Sequence, residues 1–383
     1  MTRMSQWLLL VVCGAAYLGG CLPDEMPAYT NSGKTVVAKA VNVNDEAVLW
    51  TYDVEKKTVT PHPAADGWEL YAARMFGDQV WVGWRRSQTG DHSCKRFDPV
   101  KNEFVSGPPE LEGQDWIRTA IPASYQGRKC LLEMGKDRDE AWSFPELKKL
   151  GITDSGLPAG GFWWVKSTVN VKWVQSEAKL NKDRLVETER IDLFNPEAQR
   201  VCSIPGEEVG KASPGKSWPA RYARLSTDGK TLALFFAKDT NSGKYTLGVF
   251  DTGNGKFLWG DQARHRWTGT PVLKPTELWT VEQEWIKQDM PATADSPKPS
   301  SRPAIALVRY APGKEPDIQT ASREVVLIYP VAPDHSGGQF NPSPDGSHFV
   351  MVVNGKPSRL LFIPLKQGIT EKDVLVVELT DQK

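Results

Sequence analysis

The sequence predicts an all-β fold, a β-propeller with seven blades; six and eight blades are the alternatives. Three observations carry this. After residue 34, almost every apolar run is short and bounded by Gly, Pro, Asn or Asp, which is the pattern of strands between tight turns. An aromatic followed by a turn recurs seven times at intervals of 45 to 60 residues, close to the roughly 40–50 residues of a propeller blade once loops are allowed to lengthen. Convincing amphipathic helix periodicity is absent.

The strands read directly as Val80-Trp-Val-Gly-Trp84, Thr231-Leu-Ala-Leu-Phe-Phe236, Thr246–Phe250, Ala304–Val308 and Phe349–Val353. The recurring aromatics are Tyr52, Phe97, Phe144, Phe194, Phe250, Tyr310 and Phe362. Each ends an apolar stretch and precedes a turn rich in Asp, Asn, Pro or Gly, as in Leu247-Gly-Val-Phe250-Asp-Thr-Gly-Asn-Gly-Lys-Phe257. Such residues accept the backbone angles of a tight reversal. Each copy therefore reads as the hairpin joining the two outer strands of a blade. The third and seventh copies are degenerate.

A second signal is Ser-x-Asp-Gly before an apolar strand, at Ser226-Thr-Asp228-Gly229 and Ser343-Pro-Asp345-Gly346, with a looser version at Phe76-Gly77-Asp78. Asp-Gly between strands is a hairpin cue. The Ser-Pro-Asp-Gly form resembles the repeat of TolB-type and WD-like propellers. Gly243–Trp259 is similar instead to a quinoprotein-type propeller repeat, as in BamB-type outer-membrane lipoproteins. The two resemblances imply one architecture. Ring closure needs the chain ends to meet, and Val36–Val43 and Val374–Leu379 are expected to share a blade. Pro291–Pro303 reads as a Pro/Ser-rich loop insertion. Ser176–Arg190 reads as a long solvated hairpin, with a short helix as the alternative.

The N-terminus has another character. One positive charge, Arg3, precedes the apolar run Trp7-Leu-Leu-Leu-Val-Val12 and then small residues, the layout of a secretory signal peptide. The run is short for a bilayer span, which needs about 20 apolar residues. Leu18-Gly19-Gly20-Cys21 resembles the bacterial lipobox. That resemblance implies cleavage before Cys21, a diacylglyceryl group on its thiol and acylation of the new amino group. Two or three acyl chains make a durable anchor where one holds weakly. Leu22 follows the cysteine where Asp would imply inner-membrane retention in enterobacterial-type lipoproteins, so an outer-membrane location in the cell envelope is expected. The expected organisation is a signal peptide over 1–20, a lipidated cysteine and polar tether over 21–33, and a propeller domain over 34–383.

Charge is balanced, with 47 basic and 47 acidic residues, which removes the electrostatic footprint of a nucleic-acid binder. Beyond Cys13 and Cys21 there are Cys94, Cys130 and Cys202. The number is odd, and no Cys-x-x-Cys occurs, so at most one disulfide is expected; Cys94–Cys130 is the pair favoured by blade register. His62, His92, His265, His335 and His348 stand isolated, without the spacing of a metal site. Asp137-Arg-Asp139-Glu140 reads as a solvated turn sooner than a calcium site. Trp163 and Trp164 are adjacent, so in a strand they point to opposite faces. One packs between blades, and the other is a candidate interface anchor. No catalytic residue, metal or cofactor is assigned. The reading is a non-catalytic, lipid-anchored scaffold that binds a protein or polysaccharide of the envelope, attached to the membrane through Cys21. The alternative is an enzyme, a hydrolase or lyase acting on glycans or lactones in the central funnel.

Overall fold

Short strands joined by tight turns satisfy their backbone hydrogen bonds most simply by pairing with their chain neighbours, and the computed structural model of the protein contains seven four-stranded antiparallel meanders in chain order. It describes residues 26–380, apart from residue 31 and the segments 77–78, 99–100, 102, 107–119, 126–127, 135–137, 144–147, 155–161, 166–171, 181–185, 195–199, 213–219, 227, 238–244, 266–268, 275, 288–300, 314–320 and 333–334. In most of the third and fourth blades, only the backbone course is described.

Blade one comprises β1 (Ala28–Tyr29), β2 (Thr35–Val41), β3 (Ala47–Asp53) and β4 (Thr58–His62). Blade two comprises β5 (Glu69–Phe76), β6 (Gln79–Arg85), β7 (His92–Asp98) and β8 (Glu103–Ser106). Blade three is β9 (Ala120–Tyr125) to β12 (Lys149–Asp154), with β10 at Arg128–Met134 and β11 at Arg138–Ser143. Blade four is β13 (Phe162–Val165), β14 (Lys172–Leu180), β15 (Val186–Phe194) and β16 (Arg200–Pro205). Blade five is β17 (Ala220–Leu225), β18 (Thr231–Ala237), β19 (Tyr245–Asp251) and β20 (Phe257–His265). Blade six is β21 (Val272–Lys274), β22 (Glu277–Lys287), β23 (Ser301–Ala311) and β24 (Ser322–Pro330). Blade seven is β25 (Ser336–Pro342), β26 (His348–Asn354), β27 (Arg359–Pro364) and β28 (Leu375–Glu378). The first strands of blades three, four, five and six neighbour one another in turn, β3 packs beside β5 and β23 beside β25, and β1 packs beside β25, so the first and last sheets meet. The protein is a seven-bladed β-propeller.

Each inner sheet is covered on both faces by its neighbours, so its middle strands are apolar throughout rather than alternating. In β18, Leu232, Leu234 and Phe236 pack with Ile191, Leu193 and Ile204 of blade four. The intervening Ala233 and Phe235 pack with Leu278, Val308 and Tyr310 of blade six. The repeating aromatics fall where the spacing predicts. Phe194 ends the third strand of its blade, Tyr52, Phe97, Phe250 and Tyr310 stand one residue before the end of theirs, and Phe144 lies outside the described residues, one position past β11. Tyr52, Phe97, Phe250 and Tyr310 all turn towards the preceding blade. The seventh copy is displaced by one residue. Ile363 occupies the position facing blade six, while Phe362 turns the other way, onto Tyr52 of blade one.

The Ser-x-Asp-Gly segments are the turns between first and second strands. Ser226 Oγ donates to Asp228 Oδ1 (2.6 Å) and accepts from Thr231 N (2.9 Å). Ser343 repeats this with Asp345 (2.6 Å) and His348 N (3.1 Å). Gly229 and Gly346 take φ of 72° and 66°, a left-handed conformation that glycine adopts without penalty. Blade one holds a third copy, Thr30-Asn-Ser32-Gly33, in which Thr30 N donates to Thr35 O (2.9 Å), Gly33 N donates to Thr30 O (2.8 Å) and Gly33 has φ of 70°.

That copy corrects the expected organisation. The fold takes in residues assigned above to the tether. Met26, Ala28 and Tyr29 are buried, because their apolar side chains fill the gaps between blade one and its neighbours. The ends also close differently from expectation. β2 and β28 belong to different sheets, so each blade is one continuous stretch of chain, and blades one and seven share no sheet. Asp139 and Glu140 lie within β11 and not in a turn. The 172–194 stretch is the hairpin of β14 and β15. The expected insertion joins β22 to β23 and falls outside the described residues up to 300, while Pro303 pairs with Trp285 inside the sheet.

One element has no counterpart in the sequence reading. A short helix, α1 (Gly206–Ala212), follows β16. Its apolar side is only Val209 and Ala212, which pack against Ile204 and Phe250. Glu208 ties it to blade five by accepting from Phe257 N at 2.8 Å.

Candidate functional site

Most of the residues singled out from sequence lie, wholly or in their side chains, outside the described residues. Cys21 and residues 1–20, expected to be a signal peptide, lie outside the described residues. Trp163 and Trp164 fall on β13, the innermost strand of blade four, opposite Val174 and Trp173; their side chains lie outside the described residues. Cys94 and Cys202 are buried, and the side chain of Cys130 is also outside the described residues. Burial raises the Cys202 thiol above its ordinary range, with the Asp251 carboxylate adding to the effect, so it stays protonated. Among the described residues, no three His, Cys, Asp or Glu side chains gather as metal ligands do. Among them, too, no helix is long and apolar enough to cross a membrane.

Three of the histidines have structural surroundings. His62 Nε2 meets Thr51 Oγ1 at 2.9 Å, and its ring packs 4.5 Å from Phe97 between blades one and two. Burial lowers its pKa to about 4. His335 Nε2 lies 3.2 Å from Pro357 O. His348 belongs to a chain of hydrogen bonds across the ring closure. Ser347 Oγ donates to Asp345 Oδ1 (2.9 Å), so it accepts from His348 Nδ1 (2.9 Å), which leaves Nε2 to accept from the Tyr29 hydroxyl. Burial keeps His348 below the usual imidazole range, against the pull of Asp345, and burial raises Tyr29. Both are therefore neutral near pH 7, and the chain is a positioning device that holds β1 to blade seven.

A buried carboxylate lies between blades five and six. Glu282 accepts from the Tyr310 hydroxyl and from Arg323 (2.7 Å), and Arg323 also reaches Glu284 at 3.0 Å. Burial and the adjacent Glu282 charge raise Tyr310 far above the phenol range. Asp192 is likewise buried, bonded by Arg190 (2.9 Å) and Ser203 (2.7 Å). Each carboxylate has its partners, as a buried charge requires.

The surface carries a different signal. Among the described residues, six large apolar side chains are exposed: Val43, Leu258, Val325, Ile328, Leu375 and Val376. Five of them sit on β20, β24 and β28, the outermost strands of three consecutive blades. The outermost strand of blade one, by contrast, shows Thr58 to solvent and buries Val59 and His62. An outer strand also carries backbone N–H and C=O groups without a sheet neighbour on that side. The rim of blades five to seven is therefore the candidate binding surface. Sequence reading missed it because Val325, Ile328, Leu375 and Val376 belong to ordinary strand patterns; only the ring order places them on adjacent outer edges.

No protein-family model and no curated protein matches the chain. Solved propellers are similar to it at low identity. Kluyveromyces lactis Hsv2 is 11% identical, with 92% of this chain and 96% of that one covered and a TM-score of 0.41. The β-propeller domain of the Trilobed protease from Pyrococcus furiosus, described as having an open velcro topology, is 9% identical over 91% and 94%, with a TM-score of 0.43. A candidate 6-phosphogluconolactonase from Bacteroides uniformis is 14% identical over 90% and 94%, with a TM-score of 0.42. At that distance none of them bears on the function of this chain.

Proposed function

We propose that this protein is a non-catalytic, lipid-anchored propeller that binds a protein partner at the bacterial cell envelope, attached to the outer membrane through Cys21. The observation that supports a binding role is the apolar rim of blades five to seven. Exposed Val325 and Ile328 on β24 and Leu375 and Val376 on β28 offer non-polar area beside open strand edges, which is the chemistry of strand addition or of an apolar interface. The anchor is supported by the Leu18-Gly19-Gly20-Cys21 motif. Lipidation would confine that rim to the membrane plane and raise its effective concentration near envelope partners.

The test is crosslinking in intact cells followed by purification of the full-length protein from membranes. Wild type is expected to enrich a defined set of proteins that Ile328→Asp and Leu375→Asp both lose while folding normally by circular dichroism. A set that survives both substitutions moves binding off the rim. No enrichment over Cys21→Ser removes the scaffold reading.

A further inference from the structure

We infer that the closure between blades one and seven is an acid-operated latch, in which a proton on His348 releases β1 and opens the seam. The latch does not depend on the anchor. β1 is the shortest strand described. Its ladder consists of Ala28 opposite Val37 and Tyr29 opposite Val36. No chain joins it to blade seven, so it can open locally at less cost than global unfolding. β1 is also β2's one neighbour on the channel side, and its release leaves that edge of β2 open.

The hydrogen bonds at the seam have a fixed direction. Ser347 Oγ donates to Asp345 Oδ1 (2.9 Å) and therefore accepts from His348 Nδ1 (2.9 Å). That bond keeps the hydrogen on Nδ1 in both charge states, so an incoming proton goes to Nε2. In the neutral ring Nε2 accepts from the Tyr29 hydroxyl. Once protonated, Nε2 is a donor, and two donors face each other. If the phenol oxygen turns to accept, its own hydrogen has no other acceptor among the described residues. Tyr29 is buried, so that hydrogen reaches water only when β1 moves out.

The groups around the imidazole set the sign. Its own turn brings Asp345, β1 brings Tyr29, and β27 brings Phe362, whose ring stands 6.1 Å from the imidazole. β3 brings Tyr52, 5.3 Å from Phe362. The exposed Lys34–Glu55 pair of blade one is compensated within itself at 3.0 Å. Burial keeps both phenols protonated. Asp345 favours the imidazolium, yet burial outweighs it and holds His348 below the ordinary range. In the open seam the ring meets water and returns to about 6.5. The open seam therefore takes up the proton more readily: closure is fully favoured above pH 6.5 and is lost as pH falls below it.

The experiment is hydrogen exchange of the full-length protein at pH 7 and pH 5, corrected for the intrinsic pH dependence of exchange. Ala28 and Val37 are expected to lose protection several-fold more than Leu234 and Val249 of blade five. The ceiling is about 25-fold, reached when an imidazole of ordinary pKa in the open seam is set against a wholly neutral one in the closed seam. Equal losses in the two blades overturn the latch. His348→Gln keeps an acceptor for Tyr29 and cannot titrate, so the contrast should vanish; a contrast that survives overturns the proposal. His62 is the other histidine of lowered pKa at this end of the chain, and His62→Phe should leave the contrast intact; its loss there also overturns the latch. If His348→Gln does not fold, the ring of His348 titrated by NMR in the wild-type protein decides. A midpoint below 6.5 that coincides with the loss of protection at Ala28 supports the latch, and a midpoint at or above 6.5 overturns it.

Discussion

The junction between blades five and six and the junction between blades seven and one solve the same packing problem with different means. Blades five and six meet through Phe235, Leu247, Val249 and Trp259 on one side and Leu278, Val308 and Tyr310 on the other, and the chain runs on from one blade to the next. Blades seven and one also bury an apolar set, with Val36, Trp50 and Tyr52 against Val350, Val352 and Phe362. There, however, no chain crosses and no strand is shared. Polar bonds fill that role: Asn341 Nδ2 to Pro27 O (2.8 Å), Ser358 Oγ to Val41 O (2.8 Å) and Tyr29 to His348. The difference teaches that a joined junction combines apolar burial with the covalent link and a side-chain bond, Arg224 to Thr270 Oγ1 at 2.9 Å, and leaves the main-chain carbonyls out of it. Where no chain joins the blades, directional bonds to main-chain carbonyls fix the register.

The largest expected effect comes from removing the apolar part of each junction. Trp50 and Phe235 are both fully buried, and truncation of such aromatics to alanine costs about 3–5 kcal/mol. Trp50→Ala and Phe235→Ala should lower the urea midpoint comparably. Native-state hydrogen exchange should separate them. In Trp50→Ala, the amides of β1, β2, β27 and β28 should lose protection before the rest, because the ring opens at its unjoined edge. In Phe235→Ala, protection should fall with no preference for these strands. Identical exchange patterns would break the comparison.

Acid tests the neighbouring junction of blades one and two. His62 has a folded pKa of about 4 against an ordinary 6.5, so between these values the unfolded chain binds more protons than the folded one. Stability is fully present above pH 6.5 and is lost as pH falls towards 4, by about 3 kcal/mol in all. His62→Phe should flatten that limb of a stability–pH curve, at a neutral-pH cost of about 1 kcal/mol for the orphaned Thr51 hydroxyl. His348 is shifted in the same direction by burial, so a residual slope in His62→Phe would belong to the seam.

Most of the architecture was legible because a blade is local. Hairpins, turn residues and a third-strand aromatic all sit within one repeat, and from Tyr52 to Tyr310 the described aromatics keep the predicted register. Phe362 misleads because Phe362 and Ile363 are adjacent and either could fill the slot; only the partner across each face decides, and Phe362 faces Tyr52. β1 escapes because it has two residues and follows a Pro, so no periodicity marks it. Its turn, Thr30-Asn-Ser32-Gly33, substitutes Thr for Ser and Ser for Asp in the motif recognised elsewhere. α1 escapes because two buried side chains in seven residues make no readable stripe. The Tyr29–His348 contact joins residues 319 positions apart, and the rim joins the outer strands of three separate blades, which no single repeat records.

The smallest effect gives the sharpest test of the seam. Tyr29→Phe keeps the ring against Val36 and Phe362 and removes only the hydroxyl. The Nε2 of His348 then loses its donor while remaining partly buried, at a cost of about 1–2 kcal/mol. If the bonded chain positions β1, that loss must be coupled to His348. Tyr29→Phe in a His348→Gln background should then cost markedly less than in wild type, which a double-mutant cycle reads as a coupling energy. Exchange should speed up at Ala28 and Val37 more than at Leu234 and Val249. Additive losses, with β1 protected as before, would mean that the apolar set alone holds the seam, and that the two junctions differ only in the covalent link.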